Sequence, residues 1–526
     1  MSTYDVIVIG GGHNGLTTAA YLAKAGRKVL VVERRSILGG AAATEEVFPG
    51  CHFNTGSSHA GMLLPVVADD LQLSHYGLEM LDSRVAAYAP QADGRALTLW
   101  RNMTQTQAEI AAFSKKDADI YPQFLRLIRQ LTSVLSNILT LAPPNPKKTL
   151  LRDLLPWSRT VLQAKQLGDD DMMDLMRHIP MTAKEVLDEW FENDALKGLL
   201  GLPSVAGSMQ GPQASGTAFM LLYQQLGNFN GGFQSSRFVR GGVGQISAAL
   251  SKVAIDKGAE IRTSAPVAKI MVEDGYVNGV CLEDGEIIHA EVIVSSASPH
   301  HTFFELASPS DVPIKTMQRI RNVRYRGSTA KVLLALNDLP YFLSAPPSLD
   351  HLSGHIVIAP SLDYIEHAYD DAKYGRISRQ PVLDITIPTL LDDSLATPGV
   401  HLMEITVRYA PYYLQKGDWN KQSAKLWDLV LHSLMRFTPD IKDQILHQQV
   451  ITPLDYEQDY RLPEGSIFHG QMGLDQLLFM RPIADFAQYR SPIGNLFLCG
   501  AGAHPGGGLT GAPGYNAAKR ILRNTD

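Results

Sequence analysis

The chain has 526 residues, 45% of them hydrophobic and 19% charged, enough for two or more domains with sizeable cores. A net charge of −6 lacks the basic footprint that nucleic-acid binding requires, which excludes that class of partner. Three cysteines, Cys51, Cys281 and Cys499, lie far apart and form no CxxC; this excludes a disulfide framework and a local redox dithiol, and it suits a reducing compartment.

The first strand is expected almost at Met1, which leaves no room for a signal peptide. Val6 to Ile9 is a short apolar run of the kind that makes a buried parallel strand. Gly10, Gly12 and Gly15 then fill the three glycine places of the dinucleotide fingerprint. The first permits a tight turn, the second lets a pyrophosphate approach the backbone, and the third lets the next helix pack on the strand. Leu16 to Ala25 reads as that helix, its N-terminus toward the phosphates, and Lys28 to Val32 as a second strand ending on Glu33, placed to accept from a ribose diol. Gly39 and Gly40 follow at a distance that lets the backbone run along an extended cofactor.

From about Thr104 to Gly227 the pattern turns helical. Tyr121, Phe124, Leu125, Ile128, Leu131, Leu135, Ile138 and Leu139 predict one long amphipathic helix, ended by Pro143 to Pro146. The segment 127–142 is interrupted by Arg129, Gln130, Ser133, Ser136 and Asn137, too short and polar to span a bilayer. The expectation is therefore a soluble protein of the cytoplasm or an organelle matrix, with peripheral membrane contact left open. Further helices are expected at Ser158–Leu167, Asp169–Arg177 and Lys184–Trp190, the last with Thr182 and Glu185 as a capping box. The apolar stripe Phe219 to Leu222, with Met209, reads as core before it reads as a ligand wall.

Gly241 to Gln245 opens a helix over Ile246–Lys257, followed by strands at 260–263, 265–273, 277–282 and 287–294 joined by tight turns. The chain thus returns to its first domain after an excursion of about 180 residues, too long for a loop. A second excursion, about Phe303 to Arg481, holds expected strands at 330–336, 355–359, 382–388 and 401–409 and a helix at 422–437. Residues 495–522 close the chain as strand, glycine loop and helix. The segments are 1–65, 236–302 and 485–526 for the nucleotide domain and 66–235 and 303–484 for the other.

A strand, glycine loop and helix at both ends of one chain suggest a ligand longer than NAD requires, such as extended FAD. The sequence resembles the phytoene-desaturase-like FAD-dependent oxidoreductases of the amine-oxidase-type flavoprotein group, nearest the branch called pyridine nucleotide-disulfide oxidoreductase domain-containing protein 2. The resemblance rests on Gly10 to Gly15, Glu33 with Gly39 and Gly40, Leu187 to Glu192, Gly211 with Pro212, and Val239 to Gly244. Arg481 with Pro482, Cys499 to Gly508 and Gly511 to Gly514 complete it. It implies an α/β fold: a discontinuous Rossmann-type FAD-binding domain plus a mixed α+β substrate domain with a helical insertion. It also implies that Gly10, Gly12, Asn14 and Gly15 meet the pyrophosphate, Glu33 and Arg34 the adenosine, Gly40 and Ala41 the phosphate–ribityl path, and Val267 the adenine. Gly500 would approach the ribityl phosphate, and Thr510, Gly511 and Ala512 the flavin pyrimidine edge, where a helix N-terminus stabilises negative charge. Relatives often carry Arg after the paired glycines; here Ala41 to Ala43 leave that contact to backbone amides.

Pyridine nucleotide-disulfide chemistry needs a redox cysteine pair beside the flavin, and the chain has none. Gly241 to Gly244 lacks GxGxxG spacing and a preceding apolar strand, which argues against NAD(P)H as a direct partner. No histidine pair has metal-ligand spacing. By resemblance, Lys331, entering an apolar strand, is a candidate to stand near the reacting flavin, and His504, inside the glycine loop, is a second; solvation of the lysine and capping of the loop are the plain readings. The function that follows is an FAD-dependent dehydrogenase, desaturase or isomerase for a hydrophobic, isoprenoid or lipid substrate, with oxygen or a quinone as acceptor. An amine oxidase and a flavin-bearing regulatory protein are the alternatives.

Overall fold

The computed structural model describes residues 4–144, 157–158, 169–226, 233, 237–346 and 348–523. Two large sheets divide the labour. The first is built on the strand Tyr4–Ile9, which pairs in parallel with Val29–Val32 on one side and Ile287–Ser295 on the other. Glu260–Arg262 extends it beyond Val29–Val32, and Leu496–Leu498 pairs in parallel with Ile287–Ser295. The antiparallel strands Tyr276–Leu282 and Val267–Glu273 complete it. Ile7, Val8, Leu30 and Val31 are fully buried, side chains of both faces alike, which is why these runs are apolar without alternation. Each such side chain contributes about 1.5–3 kcal/mol.

The helix His13–Lys24 lies between two helices of distant origin, Gly244–Asp256 and Ala512–Leu522. Thr18 Oγ1 donates to the Gly514 carbonyl at 3.1 Å. A Cβ on Gly514 would stand 2.2 Å from the Asn14 carbonyl, so only glycine allows this crossing.

The second sheet has the strand order Ile445–Ile451, Thr329–Leu336, His401–Arg408, Val382–Thr386, His355–Ile358, Val85–Pro90, Ala96–Trp100. All its pairings are antiparallel except that of His355–Ile358 with Val85–Pro90. Alternation along these strands separates two faces. Val332, Leu334, Ile356, Leu383, Ile385, Met403 and Ile405 form a core under the helix Trp419–Met435, which buries Leu426, Val430 and Leu434 at helical spacing. The opposite face carries Thr329, Lys331, His355, Asp384, Thr386, Glu404, Thr406 and Arg408, and it is turned toward the first domain.

Several expectations shift in detail. The long helix spans Lys115–Leu139, with Pro122 in its second turn, and the capping box of Thr182 and Glu185 starts the helix Ala183–Trp190. The strands Val85–Pro90, Ala96–Trp100 and Ile445–Ile451 were not among those expected. The helix expected at Ser158–Leu167 falls, beyond Ser158, outside the described residues. Among the described residues no helix is long and apolar enough to cross a membrane.

Candidate active site

Gly10 ends the first strand with φ +97°, a value that favours glycine. A Cβ on Gly15 would stand 2.1 Å from the Gly10 carbonyl, so the helix could not settle on the strand with any other residue there. At Gly12 the nearest atom to such a Cβ is the Gly39 carbonyl at 3.8 Å, leaving the backbone open to a cavity of about 310 Å³. Gly10, Gly12 and Asn14 line that cavity from the first loop, Glu33 and Arg34 from the end of the second strand. Gly40, Ala41, Val267 and Gly500 supply the remainder of the expected wall. Gly15 itself stands behind the wall.

The polar groups fit an elongated diphosphate cofactor. The Glu33 carboxylate accepts from the Gly11 N–H at 2.7 Å and the Arg35 N–H at 2.8 Å, which fixes it at the mouth. Asn14 Oδ1 is buried with no partner in the protein. Arg34 donates to the Asp459 carbonyl across the cleft, and Arg461 also lines it, a cation from the second excursion that no local motif announced. Arg35 pairs with Glu45 at 2.6 Å and stacks on Tyr460 at 4.5 Å.

The carboxy-terminal loop meets the first one through His13, whose ring donates to the Gly508 backbone; burial pushes this imidazole down to about 4. Gly508 and Leu509 line the next chamber, whereas Thr510, Gly511 and Ala512 line neither space. Thr510 Oγ1 accepts from the Ala512 N–H at 3.1 Å and its carbonyl accepts from Leu64 N–H at 3.2 Å, which fixes the turn at the start of the last helix.

That chamber, about 140 Å³, shares His13, Ala41, Tyr460, Leu462, Ile467 and Ala501 with the cofactor cavity. Met62, Phe468 and Leu509 give it an apolar side. Its other side is the polar face of the second sheet. The register sets Arg408 opposite both Val382 and Thr329, and Thr406 opposite Asp384, which brings these side chains together. His355 Nδ1 donates to Asp384 Oδ1 at 2.6 Å and Arg408 donates to Asp384 Oδ2 at 3.0 Å. Although burial opposes it, the pairing with His355 and Arg408 holds the Asp384 carboxyl well below the usual range. The His59 ring stands edge-on to His355, centroids 5.0 Å apart, and burial pushes its imidazole down to about 3. None of this group was singled out in the sequence. Its signal was the ionisable residue inside each apolar strand, as in Val-Leu-Asp384-Ile-Thr386.

Lys331 and His504 line neither space. Lys331 is 1% exposed; its ammonium donates to the Asn54 carbonyl, to the Gly56 carbonyl at 3.2 Å and to Glu404 at 3.2 Å, with Glu404 fully buried. Its three protons are used in holding the segment 54–56 under the chamber, so it does not sit in solvent. Burial lowers its pKa against the raising effect of Glu404. His504 is buried with Nε2 donating to the Ile138 carbonyl at 3.0 Å, and it ties the glycine loop to the long helix.

The amides of Gly241, Val243 and Gly244 are taken by Asp392, Asn54 and Thr44, which leaves no phosphate cradle in that loop. Cys51 and Cys499 are buried, and all three thiols are free.

The family described as flavin containing amine oxidoreductase matches residues 15–522. The chain is 36% identical over 543 residues to pyridine nucleotide-disulfide oxidoreductase domain-containing protein 2 of Mus musculus, covering 99% of this chain and 94% of that one. It is 29% identical to a limonene dehydrogenase polypeptide of Castellaniella defragrans, with the same coverage. Among solved structures, an oxidoreductase from Methanosarcina mazei superimposes with a TM-score of 0.64 at 17% identity, over 98% of this chain and 99% of that one, which shows the shared fold.

Proposed function

The chain belongs to the flavin-containing amine oxidoreductase family and is an FAD-dependent oxidoreductase, and from that premise we propose that it dehydrogenates a hydrophobic, isoprenoid- or lipid-type substrate. The observation that carries this reading is the chamber contiguous with the cofactor cavity, apolar along Met62, Phe468 and Leu509 and polar along the sheet. Bound FAD supplies a two-electron acceptor for hydride leaving a substrate C–H. The chain's own residues hold the cofactor along Gly10, Gly12, Asn14, Glu33 and Gly40, close the chamber against water and orient the reacting end of the substrate. At about 140 Å³ the chamber takes that end rather than a whole long polyene, since sites enclosing a drug-sized ligand run to about 300–1,000 Å³. Similarity to a limonene dehydrogenase polypeptide supports the isoprenoid class. Oxygen or a quinone is the proposed final acceptor.

The amine reading has less support. Asp384 is the sole carboxylate among the described residues lining the chamber, and Arg408 and His355 already occupy both its oxygens, so an ammonium finds no free counter-charge. Tyr456 and Tyr460 pack on each other, centroids 5.8 Å apart and tilted by 53°, instead of facing across a gap. The test is anaerobic titration of the yellow holoprotein with terpenoids, fatty lipids and amines. Bleaching by terpenoids or lipids is the expected result. Bleaching by amines alone, with hydrogen peroxide on reoxidation, would favour the amine oxidase, and a spectrum unmoved by every class would favour a binding protein.

A further inference from the structure

Three residues lining the chamber each carry a buried polar atom without a partner: His355 Nε2, Thr386 Oγ1 and Arg408 Nε. They come from three neighbouring strands, and His355 and Thr386 are each 2% exposed. An unpartnered polar atom in such a place is costly, so three together mark a site for a polar group. The chemistry of the three is complementary. Arg408 Nε–H can only donate, Thr386 Oγ1 can do either, and His355 Nε2 is an acceptor, because Asp384 holds the proton of the ring on Nδ1. A hydroxyl group, accepting from Arg408 and donating to His355, satisfies two of the three. An ammonium does not, since it cannot accept from Arg408 and would be repelled by it.

Resting on the dehydrogenase reading, we propose that the substrate is a hydrophobic alcohol and that His355, oriented by Asp384, takes its hydroxyl proton. Bound FAD would supply the acceptor for the carbinol hydride and its two electrons, while the O–H proton goes to His355 Nε2 and the carbon–oxygen double bond forms. The product carbonyl then accepts from Arg408 Nε–H and from the protonated His355. The charged and titratable groups around the ring are His59, Asp384 and Arg408, with Glu404 on the strand of Arg408 and its partner Lys331 one strand further on.

The experiment uses the holoprotein and terpenoid, aliphatic and aromatic alcohols, each matched by its amine and its hydrocarbon, in anaerobic bleaching. Alcohols are expected to bleach the flavin. His355→Gln is expected to slow this by about 10²–10⁴-fold, with flavin content and melting temperature retained. Independently of turnover, ¹⁵N spectra of histidine-labelled protein, assigned with His355→Gln, are expected to show His355 protonated on Nδ1 and bare at Nε2, with that preference lost in Asp384→Asn. Bleaching by hydrocarbons or amines but not alcohols would overturn the alcohol assignment and leave the oxidoreductase reading standing. An unchanged bleaching rate in His355→Gln, or a ring that carries its proton on Nε2, would overturn the role of His355. If no compound of any class bleaches the flavin, the dehydrogenase reading falls and takes this inference with it.

Discussion

Around Gly10, Gly12 and Gly40 the cofactor cavity is walled largely by main chain; around His355, Asp384 and Arg408 the chamber is walled by side chains reaching inward from three strands. The first wall works because side chains are missing, so its tolerance is steric and nearly absolute. The second works because charges cancel in a dry place, so its tolerance is electrostatic and graded. Any substitution that separates steric from electrostatic failure tests this contrast.

The largest effect is expected at the backbone wall. Gly15→Val drives a branched side chain into the Gly10 carbonyl, and the purified protein is expected to retain no flavin, read from its absorbance. Retention of a full complement would mean that the first loop can shift, and the contrast would fail on that side. Next comes the floor of the chamber. Lys331→Met leaves Glu404 buried and unpaired, which is expected to cost about 3–5 kcal/mol in chemical unfolding, whereas Lys331→Met with Glu404→Leu should recover most of it. Equal losses in single and double variants would show that the lysine acts by packing rather than by charge.

The smallest effect compares the two ends by pH. The His13 imidazole is pushed down to about 4 and that of His469 to about 3 at the cofactor cavity, and that of His59 to about 3 at the chamber, in each case first by burial. Their folded-state values lie below the ordinary 6.5, so between pH 6.5 and about 4 the unfolded chain binds more protons than the native one. Stability from these groups is full above pH 6.5 and falls as pH drops, by about 1 kcal/mol per pH unit for each. His469→Gln and His59→Gln should each flatten the acid limb of the unfolding free energy. Flattening by only one of them would identify the end of the cleft that stays dry.

The same contrast explains what could be read in advance. The glycine fingerprint, Glu33 and the second glycine loop were legible because backbone geometry is encoded locally, by residue type at fixed spacing. The polar corner was not, because Asp384 meets Arg408 only through the register of two strands, and register is a property of the pair. Lys331 shows the limit most clearly. Its strand was foreseen, yet its role depended on Glu404, 73 positions away on the adjoining strand. Arg461 and His355 had no motif to announce them.

The parallel sheet has a consequence for the order of events in synthesis. Tyr4 pairs with Ala290, and Ile293 pairs with Leu496, so each of these contacts joins segments about 200–290 residues apart. The glycine loop at residues 10–15 is translated first, yet the strand beside it comes nearly 300 codons later and the helix Ala512–Leu522 that packs on its helix comes later still. The second sheet, whose central strands lie within 329–451, can assemble while Ile287–Ser295 still waits for its last neighbour, Leu496–Leu498. Flavin capture is therefore one of the final acts of folding, and a ribosome-bound chain lacking residues 496–522 should remain colourless.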